Sequence, residues 1–299
     1  MPTFLYFGEI AALSAAFFWA AATVMFRQAG KSIRPLELNI LKGLIALILL
    51  LATVLIGRMR ISQGDLTPPV FWLLAASGVS GIGIGDTLFF GALQSIGSRR
   101  TLLIQMLSPP MAAIISYFAL SERIPSLAWA GIVITVCGIA WVITERNKSD
   151  STPVTYQWKG IGYAALAALA SAAGVVFAHS ALTQSRIDLL WSVIIRLGAG
   201  VAFLLVWLIF QAGKRPAILP GGGALWRKVL IASFIGTYIA LLLNQTALRY
   251  APAGVAQTLL STSPLFVLPI GLLAGERLTL RAVGGAVLAM AGIALFFMR

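Results

Sequence analysis

The chain has 299 residues, of which 59% are hydrophobic and only 10% are charged, and it carries a formal net charge of +13. Soluble domains contain about 25% charged residues, so this composition excludes a soluble globular protein and indicates a membrane protein. The sequence also lacks the polar and apolar alternation of a membrane β-barrel, so α-helices are expected to satisfy the backbone in lipid.

Ten apolar stretches follow one another, each close to the roughly 20 residues that a helix needs to cross a bilayer. They predict spans 1 to 10 at residues 8–30, 36–57, 70–91, 101–120, 126–144, 158–181, 189–211, 226–248, 253–274 and 280–298. No basic segment precedes the first stretch, so we expect it to be span 1 and not a cleaved signal. The single cysteine, Cys137, cannot form a disulfide or a multi-cysteine metal site, and no cofactor is expected.

Basic residues are concentrated in the short loops between the spans. This pattern is typical of membrane anchoring and topology, so the lipid bilayer is an expected partner and nucleic acid is not. The loops on the side of the termini hold fewer Lys and Arg residues than the opposite loops. That distribution by itself places both termini outside the cytoplasm.

The second half of the chain repeats the first. A shift of about 155 residues aligns Gly81 with Gly236 and Pro109 with Pro264. Each half contains five spans, an odd number, so the second half is expected to enter the membrane from the opposite side. The predicted fold is an all-α membrane protein with ten transmembrane helices, arranged as two inverted five-helix repeats around a central cavity.

A polar segment at residues 146–157 separates the halves and predicts a linker. The predicted units are therefore a first five-helix repeat at 1–145 and a second at 158–299. An inverted repeat can expose a central cavity to each side of the membrane in turn, which favours a transporter. A duplicated pore or scaffold is the alternative.

Prolines lie within spans 4 and 9: Pro109, Pro110, Pro264 and Pro269. Each removes a backbone donor and crowds the preceding turn, so both spans are expected to bend or break near their middles. Freed carbonyls at membrane depth must face protein or a water-filled cavity. Spans 4 and 9 are therefore expected to line the cavity, with a kink that only improves packing as the alternative.

Glu122 and Glu276 each precede an arginine where spans 4 and 9 leave the membrane. An adjacent acid and base at such a boundary can cap helix ends, so an architectural role is expected, with gating as the alternative.

Spans 5 and 10 carry glycines seven residues apart: Gly131 and Gly138, then Gly285 and Gly292. Seven residues are nearly two helical turns, so each pair lies on one face. A face of small residues allows close helix packing in a membrane. Spans 5 and 10 are therefore expected to pack against each other, away from the substrate path.

Several features of the chain together resemble the drug/metabolite transporter superfamily, specifically its EamA-type exporters. They are the two five-span halves, the SAAFFWAAATVMFR segment of span 1, the ALQSIG and ALRYAPAG turns, the SP-to-ER stretches and the closing GIA segments. The resemblance implies a ten-helix bundle that exports small metabolites, often amino acids, across the bacterial inner (cytoplasmic) membrane. It also implies cytoplasmic termini, opposite to the loop charges. The glycine contact would be internal, so we expect a monomer.

Ionisable residues inside spans cost roughly 2.5–3.5 kcal/mol each on insertion scales and are functional candidates. Lys42, Asp86, His179 and Arg196 are the four that stand out. Lys42 aligns with Arg196, and one of them is expected to attract a substrate carboxylate, unless both extend to the interface. Asp86 aligns with Leu241, and it is expected to hold a substrate ammonium, carry a proton, or pair with Lys42 or Arg196.

Residues 83–86 also match the GxGD signature of intramembrane aspartyl proteases, which need a second embedded aspartate. The other aspartates, Asp65, Asp150 and Asp188, fall in loops or at a helix edge. No serine-histidine-acid arrangement or Walker motif is apparent either. We therefore expect a protein that is not an enzyme and is not driven directly by ATP.

Polar and aromatic residues on the lining spans predict a small-molecule site, because amides orient a ligand while rings accept its apolar part. The predicted substrate-binding residues are Trp19, Asp86, Phe90, Gln105, His179, Tyr238, Asn244 and Gln257. For any one of them, ordinary helix packing is the alternative.

The predicted substrate-binding residues, taken together, favour a zwitterionic or amphipathic metabolite as the substrate. The predicted function is a secondary transporter that exports amino acids or related metabolites by alternating access. Proton coupling through Asp86 or His179 and facilitated diffusion both stay open. The alternatives are an exporter of lipophilic drugs and a non-transporting scaffold.

Overall fold

The computed structural model describes residues 6–57, 66–119, 126–143, 154–210, 222–250, 259–273 and 279–297, and within these ranges it contains helices and turns but no strand. The first half contains α1 (Phe7–Ala29), α2 (Pro35–Ile56), α3 (Pro68–Ser77), the π-helical segment π1 (Gly78–Gly85), α4 (Asp86–Gln105), α5 (Ser108–Ala119) and α6 (Ser126–Ile143). The second contains α7 (Val154–Thr183), α8 (Leu189–Phe210), α9 (Gly223–Ser233), the π-helical segment π2 (Phe234–Ile239), α10 (Ala240–Tyr250), α11 (Ser263–Leu273) and α12 (Leu280–Phe297).

Helix boundaries follow the sequence closely where proline marks them. Pro35 and Pro68 stand at the start of α2 and α3, where the missing N–H costs no hydrogen bond. The boundary of α7 differs from the prediction, because this helix begins at Val154, within the segment 146–157 predicted as a linker. Residues 146–153 of that segment lie outside the described residues.

The helical membrane class is confirmed by the length and composition of the helices. Six helical stretches are long and apolar enough to cross a membrane: Phe7–Ala29, Pro35–Ile56, Pro68–Gln105, Gln157–Thr183, Leu189–Phe210 and Gly223–Asn244. Two shorter apolar helices are Trp129–Val142 and Val283–Leu295. Large apolar side chains such as Leu55, Phe118 and Phe210 are exposed on the outer surface, as expected where lipid is the solvent.

The two π-helical segments occur at equivalent places in the two halves, with Gly81 in π1 and Gly236 in π2. A π-helical turn departs from the regular α-helical hydrogen-bond ladder, and carbonyls released inside a membrane protein need other donors. The side chain of Asn39, in α2, donates from Nδ2 to the Ile82 carbonyl of π1 over 2.7 Å. The Thr87 hydroxyl donates to the Gly83 carbonyl over 2.6 Å.

Gly97 interrupts α4 between the part that continues π1 and the part that leads into α5. Its backbone has φ 80° and ψ 170°, a conformation found almost only in glycine. The Arg27 guanidinium lies against it, 2.9 Å from the position that a Cβ would occupy. This glycine therefore separates predicted spans 3 and 4.

Helix breaks occur within predicted spans 4 and 9, and both lie just before a Ser-Pro pair. Residues 106 and 107 form turns between α4 and α5, and residues 261 and 262 form turns before α11. Pro109 and Pro264 then occupy the second position of the following helix, where a missing N–H is tolerated. In contrast, α11 continues through Pro269, so that proline does not break the helix.

The predicted packing of spans 5 and 10 is also confirmed, because α6 and α12 are in extensive contact. A Cβ added to Gly138 would lie 2.7 Å from the Ala289 nitrogen, and one added to Gly292 would lie 2.5 Å from the Thr135 nitrogen. The Thr135 hydroxyl also lies 3.3 Å from the Ala289 carbonyl and donates to it. The backbones approach closely because both positions lack side chains.

Contacts between the halves are reciprocal. Helix α1 packs against α9, π2, α10 and α11 of the second half, and α7 packs against α3, π1, α4 and α5 of the first. Helix α2 packs against α8, its counterpart. The first predicted span of each half therefore lies against the third and fourth spans of the other, so the halves interlock.

Replacing Gly97 with alanine should lower the free energy of unfolding by about 1–3 kcal/mol, because a Cβ is strained in this backbone conformation. The matched control is Gly162→Ala in α7, where an added Cβ would meet nothing within 4 Å. Thermal unfolding of the purified proteins in detergent measures the difference. Equal stability of the two variants would contradict the role assigned to Gly97.

Replacing Gly138 with alanine should cost roughly 1–3 kcal/mol of stability, since the new methyl group must push the α12 backbone away. Gly284→Ala is the control, because its added Cβ would lie 3.4 Å from the Trp141 ring, an ordinary contact. Thermal unfolding of both variants tests the packing, and a stable Gly138→Ala protein would show that the two helices separate easily.

Candidate functional site

A cavity of about 330 Å³ lies between the two halves. Its walls come from α1, α2, π1, α4 and α5 of the first half and from α7, α8, π2, α10 and α11 of the second, together with residues 106, 260 and 261 beside the breaks. The described parts of α6 and α12 contribute no wall residue, in line with the prediction that these helices lie away from the substrate path. The volume is within the range of about 300–1,000 Å³ that is usual for small-molecule pockets.

Many of the predicted site residues meet in this cavity although they come from seven different helices. The predicted residues that line it are Trp19, Lys42, Asp86, Gln105, Pro109, Arg196, Asn244 and Pro264. Gln257, Glu122 and Glu276 lie outside the described residues, so the structure does not place them.

Three predicted substrate-binding residues lie elsewhere. Phe90 is buried in the neighbouring core, edge-on to Phe26 with ring centroids 5.2 Å apart. The Tyr238 hydroxyl lies 2.7 Å from the Thr53 hydroxyl, outside the cavity lining. His179 is exposed on α7 and also outside the lining. These three residues were predicted to bind substrate and do not line this cavity; Pro110 and Pro269, predicted as helix breaks, do not line it either.

Lys42 and Asp86 form an ion pair at one wall of the cavity. The Lys42 ammonium donates to the Asp86 carboxylate, with the lysine side chain 2% exposed and the aspartate 20% exposed. The same ammonium lies 5.2 Å from the centroid of the Phe90 ring, close enough for a cation–π contact. Of the alternatives open for Asp86 from sequence, pairing with Lys42 is the one found.

Arg196 lines the same cavity from α8. Its Nε atom is buried and has no hydrogen-bond partner among the described residues. Asp86 attracts the guanidinium electrostatically but is hydrogen-bonded to Lys42 instead. Two basic residues from equivalent helices therefore share one carboxylate.

Neutral polar groups complete the lining. Gln105 donates from Nε2 to the Ser171 hydroxyl over 3.1 Å, while its Oε1 atom is buried without a described partner. The Thr237 hydroxyl of π2 is likewise buried and unpaired among the described residues. Sequence reasoning missed Ser171 and Thr237, and hydroxyl residues inside the apolar spans were the signal that could have found them.

Trp19 supplies an aromatic wall from α1. Its ring lies 5.7 Å from the Phe89 ring, which is buried in the core. Ala15 and Ala16, one turn earlier in α1, also line the cavity with small apolar side chains. A ligand with an apolar body can therefore lie against this side while polar groups face it from α4 and α8.

Among the described residues, no cluster of three or more His, Cys, Asp or Glu side chains could hold a metal ion. The described lining of the cavity offers charged, hydrogen-bonding and apolar side chains.

An all-helical membrane protein with a mixed polar and apolar cavity between interlocked halves has the architecture of a membrane transporter of small molecules. The chain belongs to the EamA-like transporter family, whose model matches residues 6–144 and 158–298. This membership confirms the resemblance to the drug/metabolite transporter superfamily.

A crystal structure of a protein that is 16% identical to this chain has the same fold, with a TM-score of 0.68. The match covers 96% of this chain and 95% of the other. At this identity the likeness shows the fold alone. A search of the curated proteins found no match.

The ion pair predicts a large difference between single and double substitutions. Asp86→Leu should lower the free energy of unfolding by about 3–5 kcal/mol, because it leaves the buried Lys42 ammonium without its partner. The double variant Lys42→Met/Asp86→Leu should recover part of that loss, since apolar residues then replace both members of the pair. Thermal unfolding in detergent measures both, and a double variant as unstable as the single one would contradict the assigned pairing.

Proposed function

We propose that the protein is a secondary transporter that exports amino acids or related small metabolites by alternating access. The observation that carries this proposal is the cavity itself, which is built from both halves and contains charged, polar and aromatic side chains. Such a mixed lining is suited to a small molecule with a polar end and an apolar end.

The equivalence of the cavity walls supports two inverted repeats, at residues 1–145 and 158–299. Gly81 and Gly236 both line the cavity, and so do Pro109 and Pro264. In a transporter built from inverted repeats, the two halves can exchange conformations, and the central site then opens to the opposite side. The breaks before α5 and α11 border the cavity, where a change of helix direction would alter access.

The charged lining bears on the driving force. Asp86 is paired with Lys42, and His179 lies outside the cavity. Asp86 is therefore the one acidic side chain among the described cavity residues that could exchange protons. Facilitated diffusion needs no such group, and transport with and without a pH gradient distinguishes the two.

Family membership supports a location in the bacterial inner membrane. Family membership also supports cytoplasmic termini. We propose a monomer, because the glycine faces of α6 and α12 are already in contact within one chain. Labelling of a cysteine introduced near either terminus, from each side of the membrane, tests the orientation.

A second candidate function is export of lipophilic compounds. It is favoured by the apolar side chains that share the lining with the polar ones, including Trp19, Val175 and Leu241. A non-transporting scaffold is the remaining alternative, and it predicts that the reconstituted protein moves no solute.

Transport in liposomes tests the proposal. Purified protein should take up or release labelled amino acids or related metabolites, and Trp19→Ala should reduce the rate by about tenfold or more, the effect of losing roughly 1.4 kcal/mol of contact with the substrate. Trp72→Ala is the matched control, because Trp72 is exposed on the outer surface of α3. Absence of transport for every solute, or equal rates in the two variants, would remove the proposed site.

A further inference from the structure

We propose that Arg196 is the anion-binding residue of the cavity and that the substrate is a small organic acid with a net charge of −1 and an apolar body. This inference deepens the proposed function, on which it rests, because within amino acids and related metabolites it selects the organic acids and not the zwitterionic amino acids. It predicts that zwitterions and cations of the same size are poor substrates.

The charge balance of the cavity is the first argument. Lys42, Asp86 and Arg196 are the charged residues among the described lining residues, so the lining carries a net charge of +1. The Asp86 carboxylate is paired with Lys42 and also attracts Arg196, so the three charged groups leave one positive charge in excess. Excess positive charge away from water is unfavourable, and one negative charge on the substrate would balance it.

The geometry of Arg196 is the second argument. Its Nε atom is buried and makes no hydrogen bond to the described residues, although a guanidinium carries five N–H donors. The planar arrangement of those donors matches the two oxygens of a carboxylate and can bind both at once. A carboxylate is therefore a ligand group that this guanidinium is suited to bind.

The comparison between the halves is the third argument. Lys42 of α2 has Asp86 as its partner, whereas the position equivalent to Asp86 in the second half holds Leu241, which also lines the cavity. Among the described lining residues, Arg196, the residue equivalent to Lys42, therefore has no carboxylate from its own half. The substrate carboxylate would supply for Arg196 what Asp86 supplies for Lys42.

The same arrangement disfavours a substrate ammonium. A buried ammonium group needs an anionic partner, and the charge of Asp86, the carboxylate among the described lining residues, is already balanced by Lys42. The Gln105 Oε1 atom and the Thr237 hydroxyl are neutral groups that are buried without a partner among the described residues. These groups can orient a hydroxyl or an amide on the substrate, while Trp19 faces its apolar body.

Binding to the purified, detergent-solubilised protein tests this inference separately from transport. Four probes share a phenyl body and differ in charge: hydrocinnamate is an anion, phenylalanine a zwitterion, hydrocinnamamide neutral and phenethylamine a cation. Isothermal titration calorimetry measures their affinities for the wild type, for Arg196→Gln, for Arg196→Lys and for Arg227→Gln. Arg227 is exposed at the start of α9 and is not part of the cavity, so it controls for the loss of one arginine.

Wild type and Arg227→Gln should bind hydrocinnamate at least about 30-fold more tightly than the other three probes, as expected for a desolvated charge pair. Arg196→Gln should lose this preference. Arg196→Lys should keep part of it, because the charge remains while the planar donor array is lost. The retained preference of the lysine variant also guards against misreading a glutamine variant that fails to fold.

Tighter binding of phenylalanine or phenethylamine than of hydrocinnamate would overturn the inference, and so would an Arg196→Gln protein that keeps the preference for the anion. Failure of all four probes to bind the wild type would also count against it. Liposome transport separates this outcome from the proposed function. Transport limited to zwitterions would support the proposed transport function and contradict the preference for anions. Arg196-dependent anion binding without transport would support the preference for anions and contradict the proposed transport function.

Discussion

Every backbone polar group at membrane depth must find a partner within the protein or in water, and the rest of this structure depends on that constraint. It explains why the chain is helical and why departures from regular helix are placed where they are. The Asn39 and Thr87 side chains donate hydrogen bonds to carbonyls of π1. The breaks before α5 and α11 border the central cavity instead of lipid. Irregular backbone and cavity therefore occur together.

The same constraint, applied to charge, accounts for the chemistry of the cavity. Basic residues from the equivalent helices α2 and α8 face a cavity that contains one described carboxylate. Asp86 neutralises Lys42, and the second half offers Leu241 in the corresponding place. The walls thus have a repeated geometry but a different chemistry on each side. An asymmetric site of this kind can distinguish the two ends of a small ligand, which a symmetric one could not.

The candidate site was predictable only in part. Apolar length predicted the membrane helices, and glycine spacing predicted the contact between α6 and α12. Polar and aromatic residues within the apolar stretches predicted Trp19, Gln105 and Arg196, which line the cavity. The errors at Phe90 and Tyr238 have a common physical source. Phe90 follows π1 and Tyr238 lies inside π2, and a π-helical turn rotates the side chains away from the directions expected at 3.6 residues per turn. His179 was misplaced because α7 is apolar on most of its surface and offers little pattern by which to orient one residue.

The sequence by itself determined the membrane class, the family, most helix boundaries and the pairing of glycine-rich helices, because these depend on composition and on spacing along the chain. The tertiary structure alone decided which partner Asp86 takes, which polar groups of the cavity stay unpaired, and where α4 changes direction. These depend on distances between residues far apart in sequence, such as the contact of Lys42 with Asp86, and on how the π-helical segments turn the side chains that follow them.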